Sequence, residues 1–268
     1  MGGEDHLHWK QSVGQALRRR PVVWVVVGVV LVGPAPYLLN TNMGPSINEY
    51  DVIGRVNDII PSEDLQSDYG NRTDIMFHNC GTVWMPGLKR KIEKAQPAFE
   101  NLKMVVCGAT KAKHTDTAYL QWPDNYVSDV VKNFESLNQH QIPFYWVGVK
   151  DYRTLYNRVG VEINSGMAAI MILLHYPIKE LLVTGFTFFL EGTAEEDLYY
   201  KGHWDEAEAD RKTNFGISSG HGRHANERQI VYFKELLQKH QGTLYIDDKL
   251  KELLSFFEQN TREKRGEN

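Results

Sequence analysis

The sequence predicts an α/β fold with a mostly parallel central sheet and helices on both faces. Short β-branched runs alternate along the chain with stretches of helical period, the pattern of strands joined by crossover helices. Several of those runs are apolar without alternation, as strands covered on both faces are. A third observation is the stretch Val161 to His175. Asn164 and Ser165 are good helix N-caps, and Met167 to Leu174 is apolar enough for a helix buried on nearly every side; Leu181 to Phe186 then reads as a buried strand.

At the N-terminus, Arg18-Arg19-Arg20 precedes the apolar run Val22 to Val32, as the basic region of a signal peptide precedes its apolar core. The run is too short for a membrane-spanning helix, is almost pure Val and ends in Gly33-Pro34-Ala35-Pro36, a strand-ending turn. It is therefore read as the first strand, preceded by an extension over residues 1–20. The other reading, an anchor or targeting segment, would remove that strand and associate the chain with a membrane or the Golgi.

Ser46 to Glu49 reads as a helical turn, Asp51 to Asn57 as a second strand and Asp74 to His78 as a third. A Lys-rich helical patch follows from Leu88 to Lys94, then a strand from Leu102 to Cys107. Tyr126 to Gln139 carries Val127, Val130, Val131, Phe134 and Leu137 on one helical face, and Phe144 to Val149 reads as strand. Leu190 to Gly222, rich in Glu, Asp, Gly and aromatics, has no period; so long a loop reads as a lid or binding loop. A helix from Ala225 to Lys239, a strand at Leu244 to Ile246 and a helix from Asp248 to Phe257 complete the series, with residues 259–268 a fraying tail. One domain over residues 1–268 accommodates all of it, without repeats or a low-complexity linker.

The 268 residues are 42% hydrophobic, enough for a large core. Lys+Arg 30 against Asp+Glu 34 gives a net charge of -4 with no basic face, which argues against nucleic acid as partner and for a small substrate or a glycan. Cys80 and Cys107 have neither C-x-x-C nor Cys/His ligand spacing, so neither a zinc site nor a disulfide framework is expected, and a single bridge stays open. Asn71-Arg72-Thr73 is a glycosylation acceptor only in a secreted chain and is treated as chance. The start of the buried helix carries chemistry. Ser165 and Gly166 sit where free N–H groups and the positive end of the helix dipole point outward, and Gly166 would let a ligand approach the main chain. This is a phosphate site, or else Ser165 only caps a core helix.

Three separated blocks line up with one family. Val32 to Tyr37, continuing through Ile47, Asp51-Val52-Ile53-Gly54-Arg55-Val56-Asn57 and Gly70 to Asp74, resembles the long sialylmotif of the eukaryote-type sialyltransferases, glycosyltransferase family 29. Val161 to Phe186 is similar to the short sialylmotif, with its Ser/Thr-Gly and its strand ending in Gly-Phe. His224-Ala225-Asn226-Glu227-Arg228-Gln229 resembles the very short motif, and His203-Trp204-Asp205-Glu206 the aromatic third motif. There are departures. Gly33-Pro34 stands where the family has Gly-Asn, Tyr37 replaces a customary Ser, and Gln229 a Glu; Pro34 also removes a backbone donor. The short motif holds no Cys for the bridge that animal members make to the long motif, which points to a divergent bacterial, algal or viral type of intracellular enzyme.

The resemblance implies a Rossmann-like, GT-A-like sialyltransferase variant. Its reaction would be inverting transfer of a nonulosonic acid, sialic acid or Kdo, from a CMP-activated sugar to a glycan acceptor. No cofactor besides that donor is expected, and no metal, because the sequence has no Asp-x-Asp pair. The donor would then meet Gly33, Ala35, Asn57, Asn164, Ser165, Gly166, Gly185 and Phe186. Asn57 ends its strand at the carboxyl edge, where open α/β sheets bind ligands, although it could equally close a local turn. His224, just before a helix and after Ser218-Ser219-Gly220, is the expected general base; its alternatives are a capping role and His221. His203, beside Tyr199, Tyr200 and Trp204, is expected to hydrogen-bond the departing phosphate, or else is a solvated loop residue. Arg55 and Asp51 are expected to orient loops, and Asp74 to pair with Arg72. Two other functions stand beside this one: a non-catalytic sialyltransferase-like binding protein, and a dinucleotide enzyme. Against the latter, Gly33-Pro34-Ala35-Pro36 is not Gly-x-Gly-x-x-Gly.

Overall fold

A computed structural model describes residues 27–57, 63–78, 102–108, 134, 142–188, 190 and 226–265. Within it seven strands form one sheet: β1 (Gly28–Val32), β2 (Val52–Val56), β3 (Ile75–His78), β4 (Met104–Cys107), β5 (Phe144–Trp146), β6 (Glu180–Thr184) and β7 (Leu244–Ile246). Their order is β5-β4-β3-β2-β1-β6-β7, and every neighbouring pair is parallel. The fold is α/β and Rossmann-like. β1 lies between β2 and β6 with all five residues buried, which is why it is a run of Val and Leu. Asp51 ties its start by accepting from the Gly28 N–H at 2.8 Å.

Alternate residues of β3 and β4 serve two cores. Phe77 and Val106 join the main core, while Met76, Val105 and Cys107 pack with Leu102, Ile142 and Phe134. Phe134 is helical and buried, and stacks on Phe144 with ring centroids 4.1 Å apart. The helices are labelled α1 (Gly44–Asn48), α2 (Gln66–Tyr69), α3 (Val149–Val159), α4 (Ser165–Leu173), α5 (Asn226–Lys239) and α6 (Asp248–Arg265). Gly166 to Leu173 are all buried, so α4 is the enclosed helix that its composition predicts.

Three expectations need correction. Val149 opens α3 rather than ending a strand, and α3 itself escapes the sequence reading. Its buried stripe of Val149, Tyr152, Leu155 and Val159 is masked by Lys150, Arg153, Asn157 and Arg158 between them. Residues 259–265 extend α6 instead of fraying: Lys234 of α5 holds Glu258 in an ion pair, and Thr261 Oγ1 donates to Phe257 O. The 3-10 turn Glu63–Leu65 and α2 also lack a signal in the sequence reading. Val22 to Val26, the Leu88 to Lys94 patch, all of the Tyr126 to Gln139 helix except Phe134, and all of the long loop except Leu190 lie outside the described residues. Among the described residues no helix is long and apolar enough to cross a membrane.

Candidate active site

Strand order reverses between β1 and β6: β2 to β5 lie to one side of β1, β6 and β7 to the other. The loops leaving the carboxyl ends of these two strands bound the crevice in which such sheets bind ligands. They are zipped together, the Gly33 N–H donating to Thr184 O at 2.8 Å and the Ala35 N–H to Gly185 O at 3.0 Å. The contact needs two glycines. A Cβ on Gly33 would lie 2.1 Å from Gly185 O, and Gly185, at φ +74°, would bring its own Cβ within 2.6 Å of Gly33 O.

Above this zip is a cavity of about 90 Å³, lined by Pro34 and Ala35 after β1, Val56 and Asn57 at β2, Asn164 to Gly166 at α4, and Gly185 to Phe188 after β6. Asn164 caps α4, its Oδ1 accepting from the Met167 N–H at 2.8 Å, and its C=O accepts from the Ala168 N–H. The Asn164 N–H donates to Oε1 of the fully buried Gln229 at 3.0 Å. Of the first-turn donors, those of Ser165 and Gly166 remain without a protein partner among the described residues. With capping assigned to Asn164, Ser165 is the first helical residue.

Asn57 supplies the opposite polarity. It adopts φ 57°, its N–H donates to Phe77 O, and its buried Oδ1 has no hydrogen-bond partner among the described residues. That carbonyl does not close a local turn. The cavity thus presents two amide donors and one unmet acceptor, a mixed set suited to an anion joined to a hydrogen-bond donor.

Seven of the eight expected donor-site residues line this cavity: Ala35, Asn57, Asn164, Ser165, Gly166, Gly185 and Phe186. Gly33 lies behind it in the glycine contact. The reason for Gly166 is corrected: the space its missing Cβ leaves is filled by the Phe186 ring, 2.5 Å from a Cβ built there, rather than kept for a ligand. Val56, Thr187 and Phe188 also line the cavity; the two after Phe186 continue a strand-end loop that the sequence reading closes two residues early. His203, His224 and His221 lie outside the described residues, and α5 begins two residues after His224. Among the described residues no group of three His, Cys, Asp or Glu is placed to hold a metal ion.

The charged residues of the long-motif stretch brace the loops. Arg55, fully buried, donates through Nε to Thr73 Oγ1 at 3.0 Å and through Nη2 to the carbonyls of Tyr69 and Arg72 at 2.8 and 3.0 Å. Asp74 pairs with Arg72 at 3.0 Å and Lys103 at 2.8 Å, and accepts from the Ile53 N–H. Tyr37 Oη accepts from the N–H groups of Gly185 at 2.7 Å and Phe186 at 3.1 Å and donates to Asp247 Oδ2 at 2.7 Å. Burial, and then the neighbouring Asp247 carboxylate, push the Tyr37 phenol far above its ordinary pKa.

Residues 28–139 match the family described as glycosyltransferase family 29 (sialyltransferase). Over these residues, fewer than half of the chain, the sequence is similar to that family. The matched part contributes β1, β2 and the Pro34, Ala35 and Asn57 side of the cavity; Asn164 to Gly166 and Gly185 to Phe188 come from beyond it and close the cavity from the other side. Two solved structures are similar at a distance, each with a TM-score of 0.44 and each covering 82% of this chain. One, a mammalian sialyltransferase in complex with Gal-beta-1-3GalNAc-ortho-nitrophenol, is 14% identical with 69% of its own chain covered. The other, a mammalian sialyltransferase, is 16% identical with 68% covered. No curated protein matches the chain.

Proposed function

We propose that the chain transfers a nonulosonic acid from a CMP-activated donor to a glycan hydroxyl, with inversion and without a metal ion. The observation that carries this reading is the pairing, in one switch-point cavity, of the Ser165 and Gly166 amides with Asn57 Oδ1, all three without a partner among the described residues. In this reading the amides and the α4 dipole meet the phosphate, and Asn57 Oδ1 accepts from a hydroxyl or amino group of the cytidine. No Asp-x-Asp pair exists in the sequence to bring a metal to the phosphate, so backbone donors take that task.

His224 is the proposed base. It removes the proton of the acceptor hydroxyl as that oxygen attacks the anomeric carbon; the bond to the phosphate oxygen breaks on the opposite face, and its electron pair leaves with CMP. His203 donates a hydrogen bond to the departing phosphate. The donor sugar is sialic acid or Kdo. The test is CMP release and sugar transfer from CMP-sialic acid and from CMP-Kdo to a panel of glycans, with and without chelator. Transfer by the wild-type chain and its loss in His224→Ala support the reading, whereas CMP binding without any transfer favours a binding protein.

A further inference from the structure

Tyr37 does not line the cavity, yet its hydroxyl is saturated: its proton goes to Asp247 Oδ2 and its two lone pairs take the Gly185 and Phe186 amides. The same carboxylate is also shared. Thr184 Oγ1 donates to Oδ2 at 2.6 Å, while Oδ1 accepts from the Leu250 N–H at 2.7 Å and caps α6. One phenol–carboxylate pair therefore joins the segments that follow β1, β6 and β7, all at the carboxyl edge of the sheet.

We propose that Tyr37, with Asp247, is a positioning residue for the donor nucleotide, acting through the Gly185–Phe186 turn; this rests on the nucleotide reading above. The turn sets the Phe186 ring against Gly166, beside the two α4 amides. With both of its N–H groups held by one oxygen, the turn cannot rotate without breaking two bonds, so the ring keeps its distance from the anion donors. Without the hydroxyl, the Gly185 and Phe186 amides lose their shared acceptor and only the carbonyl contacts with Gly33 and Ala35 resist rotation of the turn, so the ring shifts with it. A phenylalanine would fill the same space and leave the turn held only through its carbonyls, by Gly33 and Ala35.

The test compares wild type, Tyr37→Phe, Asp247→Asn and the double variant. Asn at 247 keeps a carbonyl for the α6 cap but turns an NH₂ toward the two hydroxyl donors. Calorimetric titration with CMP, well below each melting point, is expected to show affinity reduced about tenfold in either single variant and no further in the double. A control, Leu254→Ala in the buried face of α6, is expected to lower Tm and leave CMP affinity unchanged. Hydrogen exchange of the segment 181–188 is read alongside and is expected to quicken in Tyr37→Phe. Unchanged affinity in Tyr37→Phe, or additive losses in the double variant, overturns the proposal. A wild-type chain that does not bind CMP while Tyr37→Phe still quickens exchange overturns the nucleotide reading and upholds the clamp. Unchanged exchange overturns the clamp itself.

Discussion

Gln229 Oε1 accepts a hydrogen bond from the Asn164 N–H at 3.0 Å, joining the first turn of α5 to the N-cap of α4 across 65 residues. The residue that departs from the family's Glu keeps the one property this contact needs, an acceptor at the end of a three-bond side chain.

Replacing Gln229 therefore separates acceptor from shape. Gln229→Glu keeps the acceptor and is expected to retain stability and CMP affinity. Gln229→Leu strands a donor beside the pocket and is expected to cost about 1–3 kcal/mol in urea unfolding, with weaker CMP binding. Equal behaviour of the two variants would mean that the contact has no energetic role.

The three site glycines should fail in different ways. Gly33→Ala and Gly185→Ala drive Cβ into backbone carbonyls that cannot yield, and each is expected to lose about 3 kcal/mol or more. Gly166→Ala meets only a ring, which can turn aside, so Tm falls less while CMP affinity drops. Thermal unfolding and titration of the three variants check this, and a Gly166→Ala chain with intact affinity would refute the role given to Phe186.

Much of this was legible in residue types. Each strand announces itself as a short apolar β-branched or aromatic run, and α4 as a helix without a polar face. Asn57, Asn164, Ser165 and Gly185 are turn and cap residues at the ends of those elements, and such ends collect on one edge of a parallel sheet. The partnerships were not legible. Gln229 reaches back 65 residues and Tyr37 forward 210 to Asp247, and no local pattern encodes a tertiary hydrogen bond. α3 is hidden because its apolar stripe is narrow among charges, and nothing local to Gly166 announces that its neighbour is a ring 20 residues on.

Tyr37 also predicts an alkaline effect. Its folded pKa is raised, by burial first and Asp247 second, above the unfolded value of about 10. Its contribution to stability is therefore complete below about pH 10 and is lost as pH rises from there toward the folded value, because the unfolded chain releases the proton first. Tyr145 and Tyr176 are raised by burial as well, so the decline is shared. Denaturant unfolding between about pH 9 and 11 is expected to show a shallower decline in Tyr37→Phe than in wild type; parallel curves would remove Tyr37 from the explanation.

The two histidines are expected to separate kinetically. His224→Ala should lower kcat by about 10²-fold or more and leave CMP affinity nearly intact, because it removes only proton transfer from the acceptor. His203→Ala should lower kcat and weaken CMP binding together, since the phosphate assigned to it in the proposed mechanism is present in donor and product. Transfer that survives in His224→Ala and vanishes in His221→Ala would move the base three residues toward the N-terminus.

The most direct measurement is calorimetric titration of CMP into the wild-type chain and Asn57→Gly, each with and without EDTA. Glycine keeps the φ of 57° while deleting the unmet Oδ1. The account predicts that the wild-type chain binds CMP equally well with chelator present and that Asn57→Gly binds it about tenfold more weakly. Binding that disappears with EDTA would contradict metal independence, and a wild-type chain that ignores CMP would contradict the assignment of this cavity to the donor nucleotide.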